Sequence, residues 1–392
     1  MFSPTRWMKR HSASTRIADR HPRAFRPFLE ALEDRQLLAT NLLVVGVDVG
    51  PPHVKVFNNQ LQEVASFFAY APSFAKGVRV ATGDVNNDGV EDIITGAGQG
   101  GNTHVKVIDG TRLNQVQPNG QIADSALLAS FLTFAPFQGD IFVGSGDVNK
   151  DGFGDVVVGA GPGAGPQVKV IDGTRLNRVQ ASGQIADSAL LASFFAFDPA
   201  YRGGVTVAVG DNSGDGVPDI IVGSRSSSSH VKIIDGTKLN QVQANGQIAD
   251  SALLLSALAF KTVDPLFNSG VLVAAADIDG DGRTEMIVGK SAPGDGSVGV
   301  FKTPTTTTNA LEHQLIYHFR AFGTGYDGGV RVAGSDLTGD GSAEVISAPN
   351  LITDATGNGT STGGNINIVS YGTQIATFMP FGASFTGGLF IG

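Results

Sequence analysis

The stretch Asp84-Val85-Asn86-Asn87-Asp88-Gly89-Val90-Glu91-Asp92 places oxygen-bearing side chains at positions 1, 3, 5 and 9, between two short apolar runs. Copies of it begin at Asp147, Asp211, Asp277 and Asp336, in steps of 63, 64, 66 and 59 residues. The flanking pattern travels with each copy. A regular period of this length is the mark of a repeat architecture, in which one unit buries its apolar face only against its neighbours.

Alternating oxygens in a tight loop suit a hard cation that takes roughly six to eight of them. In the first loop the ligand positions are Asp84, Asn86, Asp88 and Asp92, with the carbonyl of Val90 at position 7. The second offers Asp147, Asn149, Asp151, Phe153 (carbonyl) and Asp155; the third Asp211, Ser213, Asp215, Val217 (carbonyl) and Asp219. The fourth offers Asp277, Asp279, Asp281, Arg283 (carbonyl) and Glu285; the fifth Asp336, Thr338, Asp340, Ser342 (carbonyl) and Glu344. Glycine holds position 6 in each, where the sharp turn falls. An EF-hand begins alike but closes on a Glu at position 12 between helices, whereas here the last acid stands at 9 and strand-like runs flank the loop. The sixteen carboxylates of the five loops would repel one another without a countercharge. The expectation is up to five structural Ca²⁺ ions, tightest in the fourth loop with its four carboxylates and weaker in the third and fifth.

The clearest unit starts at Gly77. It holds Val78 to Gly83, the loop, Asp92-Ile93-Ile94-Thr95, a glycine-rich turn, His104-Val105-Lys106-Val107-Ile108, a long connection, and Leu128 to Phe134. Four short β-branched or aromatic runs bounded by turn residues read as four strands, and four strands repeated around an axis make a β-propeller blade. Residues 42–47, 53–57 and 64–70 match the second to fourth strands of a unit, and 387–392 match a first strand. Pairing the termini closes an all-β, six-bladed propeller. The first strand of each unit ends in small residues, such as Ala81-Thr82-Gly83 and Ala274-Ala275-Ala276, as crowding near the axis demands. Three units share a nearly identical connection, 111–127 in the first, with Asn119-Gly120, Ser182-Gly183 or Asn245-Gly246 at its middle. It predicts a projecting hairpin. In the fourth unit Thr305-Thr306-Thr307-Thr308-Asn309 replaces it, a flexible polar loop.

Residues 1–40 differ in kind and read as a basic leader, with eight Lys/Arg against four acids and the chain's one tryptophan, Trp7. The propeller, 41–392, has 19 basic and 32 acidic residues, a net charge of −13. That balance argues against a nucleic-acid partner. No run is long and apolar enough to span a membrane. With no cysteine, disulfides play no part.

The period and the D-x-[DN]-x-D-G-x-x-D loops between strands resemble the FG-GAP or VCBS repeats of integrin-α-like propellers. The resemblance covers about residues 42–392 and implies calcium on one face and an extracellular role in adhesion or ligand binding. It extends to propellers joined to lectins and polysaccharide-degrading enzymes. Arg26-Pro27-Phe28-Leu29-Glu30-Ala31-Leu32-Glu33-Asp34-Arg35-Gln36-Leu37-Leu38 resembles the LEPR-XLL-type segment of secreted or surface proteins of planctomycete-type bacteria, with Asp34 in place of its proline.

Beyond the loops, the third strands carry a repeated pair: His53 and Lys55, His104 and Lys106, Gln167 and Lys169, His230 and Lys232. Members two apart face one way, so they could form a ring of cationic and hydrogen-bonding groups for an anionic ligand. Equally, lysine stems could cover apolar surface between blades. Gly96-Ala97-Gly98-Gln99-Gly100-Gly101 matches a dinucleotide fingerprint but precedes a strand, so it reads as a hairpin turn. There is no nucleophile motif and no histidine cluster with metal spacing, His313 and His318 included. The expected function is a secreted or surface, non-enzymatic interaction module for a surface protein or polysaccharide. The alternative is a carbohydrate-active propeller, a lectin or a polysaccharide lyase-like protein.

Overall fold

A computed structural model describes residues 42–261, 263–303, 314–350, 352–353, 359–360, 364–385 and 387–392. The leader at 1–40 with its LEPR-XLL-type segment and Trp7, the threonine run at 305–309 and His313 lie outside the described residues.

Six antiparallel sheets of four strands form the six blades. Blade 1 runs from the inner strand outward as Val78–Gly83, Asp92–Ala97, His104–Ile108 and Leu127–Leu132. Blade 2 is Ile141–Gly146, Asp155–Ala160, Gln167–Ile171 and Leu190–Phe195; blade 3 is Val205–Gly210, Asp219–Ser224, His230–Ile234 and Leu253–Leu258. Blade 4 is Val271–Ala276, Glu285–Lys290, Ser297–Phe301 and Leu315–Arg320; blade 5 is Val330–Ser335, Glu344–Pro349, Ile366–Ser370 and Thr373–Phe378. Blade 6 joins the two ends of the propeller: Leu389–Ile391 pairs with Leu43–Val47, which continues to His53–Phe57 and Glu63–Phe68. The closure read from the sequence is thus the closure observed. A small extra sheet pairs Ile352–Thr353 with Gly359–Thr360.

The second strands are buried throughout, as strands covered on both faces must be. The inner strands approach so closely that a Cβ on Gly83 would sit 2.4 Å from Ser145 Oγ, and one on Gly334 2.4 Å from Ala276 Cβ. That is why small residues end this strand. The 96–101 glycine run is the hairpin turn into the third strand, with the Gly101 N–H donating to the Gly98 carbonyl at 2.9 Å.

The shared connection is a hairpin, but it does not project. Gln117 and Gln121 close it around Pro118-Asn119-Gly120, with Gly120 at φ 82°. The returning limb lies along the outer strand of the preceding blade: Phe68 N–H donates to the Gly120 carbonyl (2.8 Å) and Ile122 N–H to the Phe68 carbonyl (3.0 Å). The same pair of bonds joins Leu132 to Gly183 and Ile185, and Phe195 to Gly246 and Ile248. Ile122, Ile185 and Ile248 are buried in the seam. Each connection is therefore an arm that bridges the end of its neighbour's outer strand, and apolar burial explains why it folds back rather than standing in solvent.

Candidate metal loops

Each loop follows an inner strand, so all five gather on one face of the propeller. Backbone N–H groups of the turn shape them. In blade 1, Asp88 and Gly89 donate to the two oxygens of Asp84 at 3.1 and 2.9 Å. In blade 2, Asp151 and Gly152 donate to Asp147 at 3.0 and 2.8 Å. Asp211, Asp277 and Asp336 are held the same way by Gly216, Gly282 and Gly341. Asn86 and Asn149 turn their carbonyl oxygens inward onto the N–H groups of Asp88 and Asp151, both at 2.9 Å.

The position-9 acids are the buried members. Asp92, Asp155, Asp219, Glu285 and Glu344 open the second strands and are almost fully covered. Asp92 accepts from Val85 N–H (3.0 Å) and from Gly110 N–H (2.9 Å), and Asp155 and Asp219 have the same kind of partners. Burial nevertheless pushes the carboxyl groups of Asp92, Asp155 and Glu285 up to about 7 and that of Asp219 up to about 6, outweighing those hydrogen bonds. A carboxylate so placed is costly to keep ionised.

Among the described residues, three carboxylates converge most tightly in blade 4. Asp277, Asp279 and Glu285 each bring one oxygen within 4.8 Å of the others. Glu285 Oε1 and Asp279 Oδ1 are buried without a hydrogen-bond partner. Orphaned acidic oxygens facing a common point fit a hard cation. The same loop holds a feature missed in the sequence: Lys302 Nζ sits 2.6 Å from both Asp279 Oδ2 and Asp281 Oδ2. In blades 1 to 3 the corresponding position, just after the third strand, is Asp109, Asp172 or Asp235. These cap the short turn before the arm and pair with Arg112, Arg175 or Lys238. The signal was there, as an aspartate in three units that becomes lysine in the fourth, where the shared connection sequence is also replaced.

Neighbouring loops are stitched by backbone. The carbonyls of Asp84, Asp211 and Asp277 accept from Gly154, Thr284 and Ala343 of the following loop, at 2.7, 2.9 and 2.7 Å. Pro218 holds the equivalent place in loop three and has no N–H to give.

The repeated third-strand pairs are packed between blades. His53, His104 and His230 meet Ser66, Ser130 and Ser256 through Nε2 at 2.8 to 2.9 Å, and Gln167 meets Ser193 at 3.0 Å. Lys106, Lys169 and Lys232 lie 5.4 to 5.5 Å over Tyr70, Phe134 and Phe197 of the preceding blade. Lys55 lies 5.3 Å over Phe381 and pairs with Glu63 at 2.7 Å. The lysines thus lie over aromatic rings at each seam.

The FG-GAP repeat family model matches residues 77–117, the inner three strands and metal loop of blade 1. Blade 1 of this six-bladed β-propeller thus carries a segment similar to an FG-GAP repeat. The chain is 31% identical to bovine (Bos taurus) phosphatidylinositol-glycan-specific phospholipase D over 39% of its own length and 18% of that protein. It is 29% identical to the human (Homo sapiens) enzyme over 50% and 23%, and 25% identical to integrin alpha pat-2 of Caenorhabditis briggsae over 60% and 19%. The matched segment spans about a fifth of the length of these relatives.

Proposed function

We propose that this chain is a calcium-stabilised propeller acting outside the cell as a non-enzymatic interaction module. The observation that carries the calcium reading is the set of fully buried position-9 carboxylates, together with the convergence of Asp277, Asp279 and Glu285 in blade 4. Asp84, Asn86, Asp88, the Val90 carbonyl and Asp92 would hold an ion in blade 1, and the matching residues of the other loops would do so in theirs. A bound ion supplies a countercharge and ties the start of the second strand to the end of the first. Because loops one and two, and loops three to five, are joined through backbone, that restraint passes between those blades. Ions that bind only the folded chain raise its stability by linkage.

The module reading rests on the likeness to the integrin and on a scaffold whose polar groups serve packing. The phospholipases are enzymes by name, and the match spans at most 23% of their length; the part shared with this chain is read as a scaffold, and no hydrolytic activity is carried over. An extracellular setting agrees with weak calcium loops of roughly 10⁻⁴ to 10⁻³ M affinity, which fill only where calcium is abundant. The test is capture of surface proteins and acidic or neutral glycans by the full chain in calcium and in chelator. Calcium-dependent retention of an intact ligand supports the reading. Recovery of a shortened glycan or a cleaved lipid anchor contradicts it.

A further inference from the structure

The ends of the inner strands carry the metal loops, so their starts meet at the opposite face. There the second residue of each inner strand points to the axis: Arg79, Phe142, Thr206, Leu272, Arg331 and Phe390. Above this ring opens a mouth of roughly 690 Å³.

Three guanidinium groups from blades 1, 3 and 5 line it. Arg79 Nη2 donates to Asp140 Oδ2 at 2.7 Å and lies 3.5 Å from Asp48 Oδ1. Arg331 Nη2 donates to Asp48 Oδ2 at 2.8 Å and to Asn350 Oδ1 at 2.6 Å. Arg225 Nη1 donates to Ser291 Oγ. The Phe390 ring lies against both deep arginines, its centroid 4.4 Å from Arg79 Cζ and 3.3 Å from Arg331 Cζ. Arg79 and Arg331 are 5% and 4% exposed, yet Nε of each and Nη1 of Arg331 have no hydrogen-bond partner. Buried donors left unpaired are costly and call for an explanation.

Charge points the same way. Lys76 and Asp327 also line the mouth, so four cationic side chains face three carboxylates, an excess of one positive charge. Burial, together with Arg79 and Arg225, brings Arg331 down to about 10. Burial raises Asp48, but the three arginines outweigh it and hold its carboxyl below the usual range.

We propose that this mouth binds a compact monocarboxylate, namely a hexuronate unit of an acidic polysaccharide, through Arg225 and Arg331. Asp48 already shows how a carboxylate is gripped here, bridging two guanidinium groups, which favour the planar carboxylate. One excess charge selects a monoanion over a phosphate dianion. The mouth is far larger than an aspartyl or glutamyl side chain, and Gln99, Asn350 and Asp327 offer partners for ring hydroxyls above the Phe142 and Phe390 floor. The proposal rests on the reading of the propeller as a binding module and names the ligand class of its face.

The test is calorimetric titration of the full chain, in calcium, with glucuronate, glucose, N-acetylglutamate α-amide and phosphate. Glucuronate should bind and glucose should not. Arg225→Gln should weaken glucuronate by about tenfold or more, as loss of a charged hydrogen bond does, with the calcium stoichiometry unchanged. Equal binding of glucose and glucuronate, no glucuronate binding, or an unaltered affinity in R225Q would overturn the proposal. So would preference for the glutamate amide or phosphate. The glucose and glucuronate comparison needs no variant and stands even if R225Q misfolds. Calcium binding without uronate binding sinks the mouth alone. Shortening of a bound uronate oligosaccharide sinks the non-enzymatic reading and leaves the mouth in place.

Discussion

The outer strands of blades 6, 1 and 2 are each bridged at their last residue by an arm from the next blade, whereas those of blades 3, 4 and 5 meet no such backbone among the described residues. Bridged outer strands carry a fully buried phenylalanine: Phe67, Phe131 or Phe194. The register puts Ala257, Phe319 and Thr377 in that place in the other three, where Leu258, Ile316 and Ile375 are exposed. The inner three strands scarcely differ between the halves. An exposed outer strand is a template for unwanted pairing, and among the described residues three of the six are bridged by a local insertion. Closure around the axis and protection of the rim are therefore separate problems.

The sharpest way to break this comparison is to remove one arm's anchor. Ile185→Ala should cost about 3 kcal/mol of unfolding free energy, as buried isoleucines do, while Ile316→Ala in the other half should cost about 0.5 kcal/mol or less. Urea denaturation of the two variants measures both. Equal losses would mean that the arms add nothing to the rim.

In saturating calcium, which keeps the loop carboxylates ionised, acid should act through the buried histidines. Burial, with Lys106 and Lys232 nearby, pulls His104 and His230 down to about 4 from the ordinary 6.5. A base whose folded value is depressed binds fewer protons folded than unfolded, so stability is lost as pH falls from about 6.5 towards 4. Blade 2 shows the remedy, because Gln167 makes the same bond to serine without titrating. His104→Gln with His230→Gln should flatten that part of the stability profile, read from thermal midpoints across the range. An unchanged slope would clear the histidines.

At the metal face the halves differ through Lys302, whose ammonium is held above the usual lysine range by Asp279 and Asp281. Lys302→Gln should tighten calcium at the fourth loop by about tenfold, since a competing cation is removed, and leave the loops of blades 1 to 3 alone. The smallest effect belongs to the unbridged rim. Leu258→Lys with Ile375→Lys should change stability by about 0.5 kcal/mol or less while lowering self-association in sedimentation.

Much of this was legible in the sequence. The four-strand unit, the closure of blade 6 from both termini and the small residues at Gly83 and Gly334 follow from period, turn chemistry and crowding. The arm was legible only as a hairpin. Pro118-Asn119-Gly120 specifies the turn, but its partner, Phe68, lies about fifty residues upstream, where local pattern is silent. Sequence reading placed the third-strand lysines on one face and left two uses open; the aromatic residues that meet them, Tyr70, Phe134 and Phe197, follow the previous blade's outer strand and bring them into the seams. Arg79, Arg225 and Arg331 were invisible as a group because three blades contribute one each. The loops' ligand positions were plain, and what their spacing could not show is that Lys302 reaches into the fourth.

The most direct test of the central claim is calorimetric calcium titration of the full chain, with thermal unfolding followed in calcium and then in chelator. Four or five ions bound, with a large fall in midpoint on chelation, is the predicted result. No bound calcium and an unchanged midpoint would contradict the account and leave the buried acids of the loops to be explained as contacts for another ligand.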